Sequence, residues 1–255
     1  MAGTFDWPKA IHCAFTAVLA LGAVVAAPSA WSQEQSEPRQ LAAIPATGRS
    51  DYDVIREGER IGDHSVVFRH DGRRITVATR TDIDVKLLGV TLYRFRYEAE
   101  EDWFDGQLTR LKSSTDRDGE TLTVNLARAG NRIRGVCNGM NLDLPASVLP
   151  ISMWHPDFVR QSVILDQYNC VERKVSIAND GIEPIFAGSK NLTARHYAVT
   201  GELQRDVWYG PDGQIVRVAF PSEGGSEIAF VTPSPPQQAL ASEQRPSSSS
   251  AGRDR

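Results

Sequence analysis

Over most of its middle the chain alternates apolar and polar residues with a period of two. In RITVATRTDIDVKLLG, residues 74–89, Ile75, Val77, Thr79, Thr81, Ile83 and Val85 share one parity, and Arg74, Arg80, Asp82, Asp84 and Lys86 share the other. In TLYRFRYEAEEDWFDG, residues 91–106, Tyr93, Phe95, Tyr97, Ala99 and Trp103 oppose Arg94, Arg96, Glu98, Glu100 and Asp102. A helix would spread these charges around its circumference, whereas a strand places them on one wet face. The carboxylates Glu98, Glu100, Glu101 and Asp102 therefore read as a solvated face paired with Arg94 and Arg96, not as the acids of a hydrolase.

Turn signals divide the pattern. HDGRR at 70–74, FDGQ at 104–107, DRDGE at 116–120, RAGN at 128–131 and YGPDGQ at 209–214 carry glycine pairs suited to tight hairpins. Strands are expected at 51–56, 61–69, 107–115, 120–127, 132–138, 171–177, 192–202, 204–209, 214–220 and 225–231, besides the two above. Roughly a dozen strands in one meander curl strongly. The break comes at 144–168, where Pro145, Pro150 and Pro156 are poorly placed for central strands. The expected fold is mainly β: an antiparallel meander forming a strongly curled sheet or half-open β-barrel, with a short Pro-rich helical plug at about 145–165. A curled sheet has an apolar concave face, which the plug fills or a ligand occupies.

The ends of the 255-residue chain differ from this middle. Lys9 precedes an apolar run at 13–27 of about 15 residues, the length of a secretory h-region and short for a membrane span. Ala30 and Ser32 fit a cleavage site after Ser32, with a cut after Ser29 as the neighbouring choice and an uncleaved anchor as the alternative. The expected division is a signal peptide at 1–32, a linker at 33–50, the β domain at 51–231 and a disordered Pro- and Ser-rich tail at 232–255. Export places the domain outside the cytoplasm. Cleavage leaves Cys137 and Cys170, and in an oxidising compartment such a pair tends to be bridged.

Net charge is −4, with mixed signs and no basic stripe, which argues against nucleic acid. His64, His70, His155 and His196 lack metal-ligand spacing, and read as scattered surface histidines; no metal or other cofactor is expected. His155 with Asp157, in PISMWHPDF at 150–158, could be a base and its orienter. The structural alternative uses the same residues better: His155 as a helix cap, Pro156 at the first helical position and Asp157 in the first turn. No catalytic residue is therefore assigned. Tyr93, Phe95, Tyr97, Trp103, Met153, Trp154 and Trp208 are the candidate lining of an apolar ligand cavity, with plain core packing as the competing role.

Four segments in order, 52–72, 77–108, LPISMWHPDF at 149–158 and DVWYGPDGQIVRVAF at 206–220, resemble an uncharacterised family of exported Gram-negative β-domain proteins known only as a domain of unknown function. That family looks like a distant relative of half-barrel envelope proteins of the lipoprotein-carrier type. The resemblance implies a half-open barrel around a central plug, and a lipid-like ligand or an envelope protein as partner. Two features depart from it: Trp154-His155-Pro156 stands where the family has Trp-Asn-Pro, and the cysteine pair lies outside its pattern. The expected function is non-enzymatic binding of a hydrophobic ligand; envelope assembly through protein contact, or a hydrolase using His155, are the alternatives.

Overall fold

The computed structural model describes residues 43–234, except Glu223. The proposed signal peptide and nearly all of the tail lie outside the described residues, as does most of the linker. Within that range, one sheet of fifteen strands holds the chain. β1 to β8 span Arg49–Arg56, Glu59–Asp71, Arg74–Leu87, Val90–Phe104, Gln107–Arg117, Glu120–Ala129, Arg132–Cys137 and Met140–Pro145. β9 to β15 span Leu149–Pro150, Val163–Asp166, Val171–Ala187, Lys190–Gly201, Arg205–Tyr209, Ile215–Pro221 and Glu227–Val231.

The spatial order is β8-β7-β6-β5-β4-β3-β2-β1-β15-β14-β13-β12-β11-β10-β9. Sequence neighbours are thus sheet neighbours, as in a meander, with two exceptions. β1 pairs with β15, so the first and last strands meet mid-sheet, Val54 opposite Phe230. β8 and β9, consecutive in the chain, form the two edges. The sheet curls without closing, and residues 146–148 cross the gap. Pro145 ends one edge strand and Pro150 the other, the positions at which a missing N–H costs least. β9 runs parallel to β10, the one departure from antiparallel pairing.

The period-two pattern sets which face turns inward. On β3, Ile75, Val77, Thr79, Thr81 and Ile83 are all buried. The outer face carries an ion-pair ladder: Arg96 Nη2 lies 2.8 Å from Asp84, Arg80 Nε 2.6 Å from Asp82, and Arg110 Nε 2.6 Å from Asp102. Such exposed pairs contribute little each, but they keep the outer face wet. The sheet coils tightly at Gly62, where a Cβ would fall 2.1 Å from the Asp82 carbonyl oxygen.

Four sequence expectations change. The plug is not a helix: 145–165 contains edge strand β9, strand β10 and a 3-10 turn at Phe158–Arg160. Three prolines and a short span leave no room for a helical repeat, and backbone pairing to the sheet edge satisfies the chain instead. β8 forms where no strand was expected, through the Asn138-Gly139 turn, with both residues at positive φ. β11 runs on past 177 to Ala187, because Asn179, Asp180 and Gly181 make a bulge and not a turn. β1 begins at Arg49, inside the stretch read as linker, and Gly48 accepts a backbone bond from Phe68.

Cys137 at the end of β7 and Cys170 in the turn after β10 form a disulfide, 33 residues apart in sequence. It joins the two flanks of the sheet across the gap. In the chain-entropy account a loop of that length is worth about 4 kcal/mol. Replacing both cysteines by serine should lower the urea midpoint by a corresponding amount, while folded far-ultraviolet dichroism is retained. An unchanged midpoint would show that the bond does not hold the flanks together.

Candidate functional site

The interior has two halves with different chemistry. At the end where the β4–β5 turn lies, segment 151–158 enters and fills the space. Its anchor is Glu101, fully buried on the inner face of β4. The Trp103 and Trp154 indole N–H groups both donate to Glu101 Oε2, each at 3.0 Å. The two indoles meet edge to face at 5.2 Å, and Phe68 meets Trp154 at 5.5 Å. Burial holds the Glu101 carboxyl above its usual range, opposed by hydrogen bonding from Trp154, Ser152 and Trp103. Further bonds fix the segment: Tyr209 donates its hydroxyl to the Met153 carbonyl at 2.7 Å, and Gln167 accepts the Ile151 amide while donating to the Tyr97 hydroxyl. Only about 40 Å³ is left beside Met153 and Trp154, space for water and little else.

His155 is buried here, stacked on Trp103 at 4.8 Å. Its Nδ1 accepts the Asp157 amide at 3.1 Å, while the Asp157 carboxylate pairs with Arg160. The expected helix cap is not formed: the 3-10 turn begins at Phe158, its N-cap is Asp157 without a side-chain capping bond, and His155 and Pro156 lie before it in a turn closed by the Phe158 amide donating to the His155 carbonyl. Burial lowers the His155 pKa, which favours the neutral ring. His64 also corrects the surface reading of the histidines. It turns into the interior, stacks on Phe230 at 4.6 Å and meets Thr81 Oγ1 at 2.8 Å. Among the described residues no group of three or more His, Cys, Asp or Glu could hold a metal ion.

The opposite half is open. A cavity of about 780 Å³ lies within the ends of β1, β3, β5, β10 and β14 and the starts of β2, β4, β6, β11, β13 and β15. Its apolar wall includes Ile61, Ile83, Val85, Phe95, Phe220 and Phe230. Four arginines, Arg56, Arg117, Arg173 and Arg205, line it together with Asp118, Glu120 and Asp166. Arg117 donates to Asn169 Oδ1 at 2.9 Å and Arg173 to Asp166 Oδ2 at 3.1 Å. The Arg205 guanidinium lies over the Phe220 ring at 3.9 Å. Burial lowers its pKa, partly offset by Tyr168 and Asp166. The Tyr168 hydroxyl is pushed up to about 12, chiefly by burial.

The seven candidate lining residues are therefore divided. Tyr93, Phe95 and Met153 border the large cavity. Tyr97 and Trp154 border only the small void, and Trp103 is packed core. Trp208 is on the outer face, stacked on His196 at 4.4 Å and donating to Glu183, and has no part in the cavity. Its neighbours explain this: Val207 turns inward, so Trp208 must turn out. The sequence reading missed Glu101, Arg117 and Arg205. Parity identifies all three. Glu101 falls between Ala99 and Trp103, Arg117 follows Ser113 and Thr115, and Arg205 precedes Val207, each on the buried parity.

Strands, gap and half-filled interior define a β-barrel-like domain. A structure from Brucella abortus titled as a beta-barrel-like protein of domain of unknown function DUF1849 superposes with a TM-score of 0.53 and 10% identity, covering 72% of this chain and 95% of that one. At that identity the likeness speaks for the fold. The chain itself belongs to the family described as a domain of unknown function, DUF6134, which matches residues 52–232. No curated protein matches the sequence.

Two substitutions probe the interior. Glu101→Ala leaves two buried indole donors without an acceptor and should cost about 2–5 kcal/mol in denaturant unfolding, whereas Glu101→Gln keeps an acceptor and should cost much less. Burial holds His64 near pKa 4, below the 6.5 of an unperturbed ring. The unfolded chain therefore takes up the proton first, and stability falls as pH drops from about 6.5 to about 4, by up to about 3 kcal/mol. His64→Phe should remove that part of the slope, as read from urea midpoints across the range.

Proposed function

We propose that this domain is a non-enzymatic periplasmic binding protein for a lipid-like molecule. The observation that carries the reading is the cavity of about 780 Å³, a volume usual for small-molecule sites and walled by apolar side chains of many strands. The plug supports it too, because it fills one half of the barrel and stops short of the other. The disulfide and the signal-like segment are in keeping with an oxidising, exported setting. The bound molecule would lie lengthwise in the open half, its chain against Ile83, Phe95 and Phe230.

A second reading, envelope assembly through a protein contact, draws on the β3–β4 hairpin. Leu88, Val90 and Leu92 stand exposed at its tip, with Leu88 at 97% exposure and a φ of 51°. Charged substitutions there would abolish a protein contact and leave an interior site intact.

Lipid extraction of protein purified without detergent should yield a bound amphiphile. Stripped protein should bind the neutral dye N-phenyl-1-naphthylamine saturably, and Val85→Trp, which fills the cavity mouth, should prevent it. Protein that carries no lipid and shows no saturable dye binding would sink the reading.

A further inference from the structure

The aromatic and aliphatic wall accounts for a hydrocarbon chain but not for the arginines behind it. Arg117 and Arg205 border the same turn, 166–169. Arg117 donates to the Tyr168 carbonyl and to Asn169, and Arg205 lies within electrostatic reach of Asp166. Arg205 Nε is buried and has no hydrogen-bond partner, as is Asp166 Oδ1. Asp166 already accepts from Asn169 and Arg173 through its other oxygen. Asp118 and Glu120 are exposed at the rim and do not offset charge at depth. A buried guanidinium donor without an acceptor is costly, and the groups that satisfy it best are carboxylate and phosphate oxygens, which accept two donors in its plane.

We propose that the ligand is an anionic amphiphile whose head is held by Arg205, with Arg117 as a second contact across the turn. The proposal rests on the amphiphile reading above and adds the chemistry of the head. The acyl or alkyl chain then extends along Phe95, Phe220 and Phe230 toward the mouth. Arg205 is suited to the part because Phe220 holds its plane at 3.9 Å, so little side-chain freedom is lost on binding. A carboxylate from a fatty acid and a phosphate from a lipid head share this chemistry.

The test uses stripped full-length protein and three probes of equal chain length at submicellar concentration: dodecanoate, dodecyl phosphate and the uncharged 1-dodecanoylglycerol. Affinity is read by displacement of N-phenyl-1-naphthylamine. At least one anionic probe should bind about tenfold or more tightly than the uncharged one. The tighter of the two identifies a carboxylate or a phosphate head. Arg205→Gln should lose that advantage, about tenfold to a hundredfold, without changing the uncharged probe, and Arg205→Lys should recover part of it. Equal affinity for charged and uncharged probes, or an Arg205→Gln variant that binds the anions as before, overturns the proposal and leaves a neutral-lipid site. Failure of all three probes overturns the amphiphile reading with it. Should Arg205→Gln not fold, wild-type protein decides: anion binding that does not weaken with added salt overturns the proposal.

Discussion

A curled sheet that does not close has two edges, and in this domain both belong to strands joined by three residues. β8 and β9 flank the gap, 146–148 cross it, and the Cys137–Cys170 bond ties the strands next to each edge. Everything inside depends on that arrangement. An open edge offers unpaired backbone groups to any passing strand. Here the edges are short, each carries a proline at its end, and they face a covalent clasp. The same crossing sends 151–158 into the interior, so one short connection both spans the gap and supplies the filling.

Filling is confined to one end because the large side chains of that segment are tethered there. Trp154 reaches Glu101 beside Trp103, and Phe158 is buried close behind. A carboxylate among indoles is an expensive choice for a core, yet it fixes direction: two N–H donors converge on one oxygen, and the plug can seat in only one way. Beyond Met153 the segment turns back to pair with the sheet. Thr79, Thr81, Ser113 and Thr115 on the inner face mark the change from packed hydrocarbon to a mixed wall. The arginines stand past that line, around the open cavity.

Most of the sheet was legible because its faces differ. Parity on β3 and β4 gave the inner row correctly at Ile75, Val77, Tyr97 and Trp103. It failed where residue type outweighed position. Glu101 was grouped with its charged neighbours although it shares the parity of Trp103, and Trp208 was grouped with the aromatics although Val207 claims the inside. Both errors treat chemistry as stronger than geometry, and in a strand geometry wins. The plug was misread for another reason. Prolines and large apolar residues at 149–159 fit a short helix as well as an irregular segment, and only pairing of 149–150 with β10 decides between them, a contact that local sequence does not reveal. The cavity was legible only as one of two outcomes, open or filled, with Tyr93, Phe95 and Met153 among its lining, since its extent depends on how far the plug reaches.

The pairing of β1 with β15 has a topological consequence. Arg49 and Val231, the outer limits of the sheet in sequence, lie at the same end of adjacent strands. The edges in space are instead the middle of the chain. A circular permutant joined through the present ends and opened at 146–148 would pass through all fifteen strands in spatial order, from β9 to β8. The natural chain lays down β2 to β8 as successive local hairpins, yet β1 waits for a partner that is translated last. Synthesis from the N-terminus therefore leaves one central strand half-paired until Val231 has emerged.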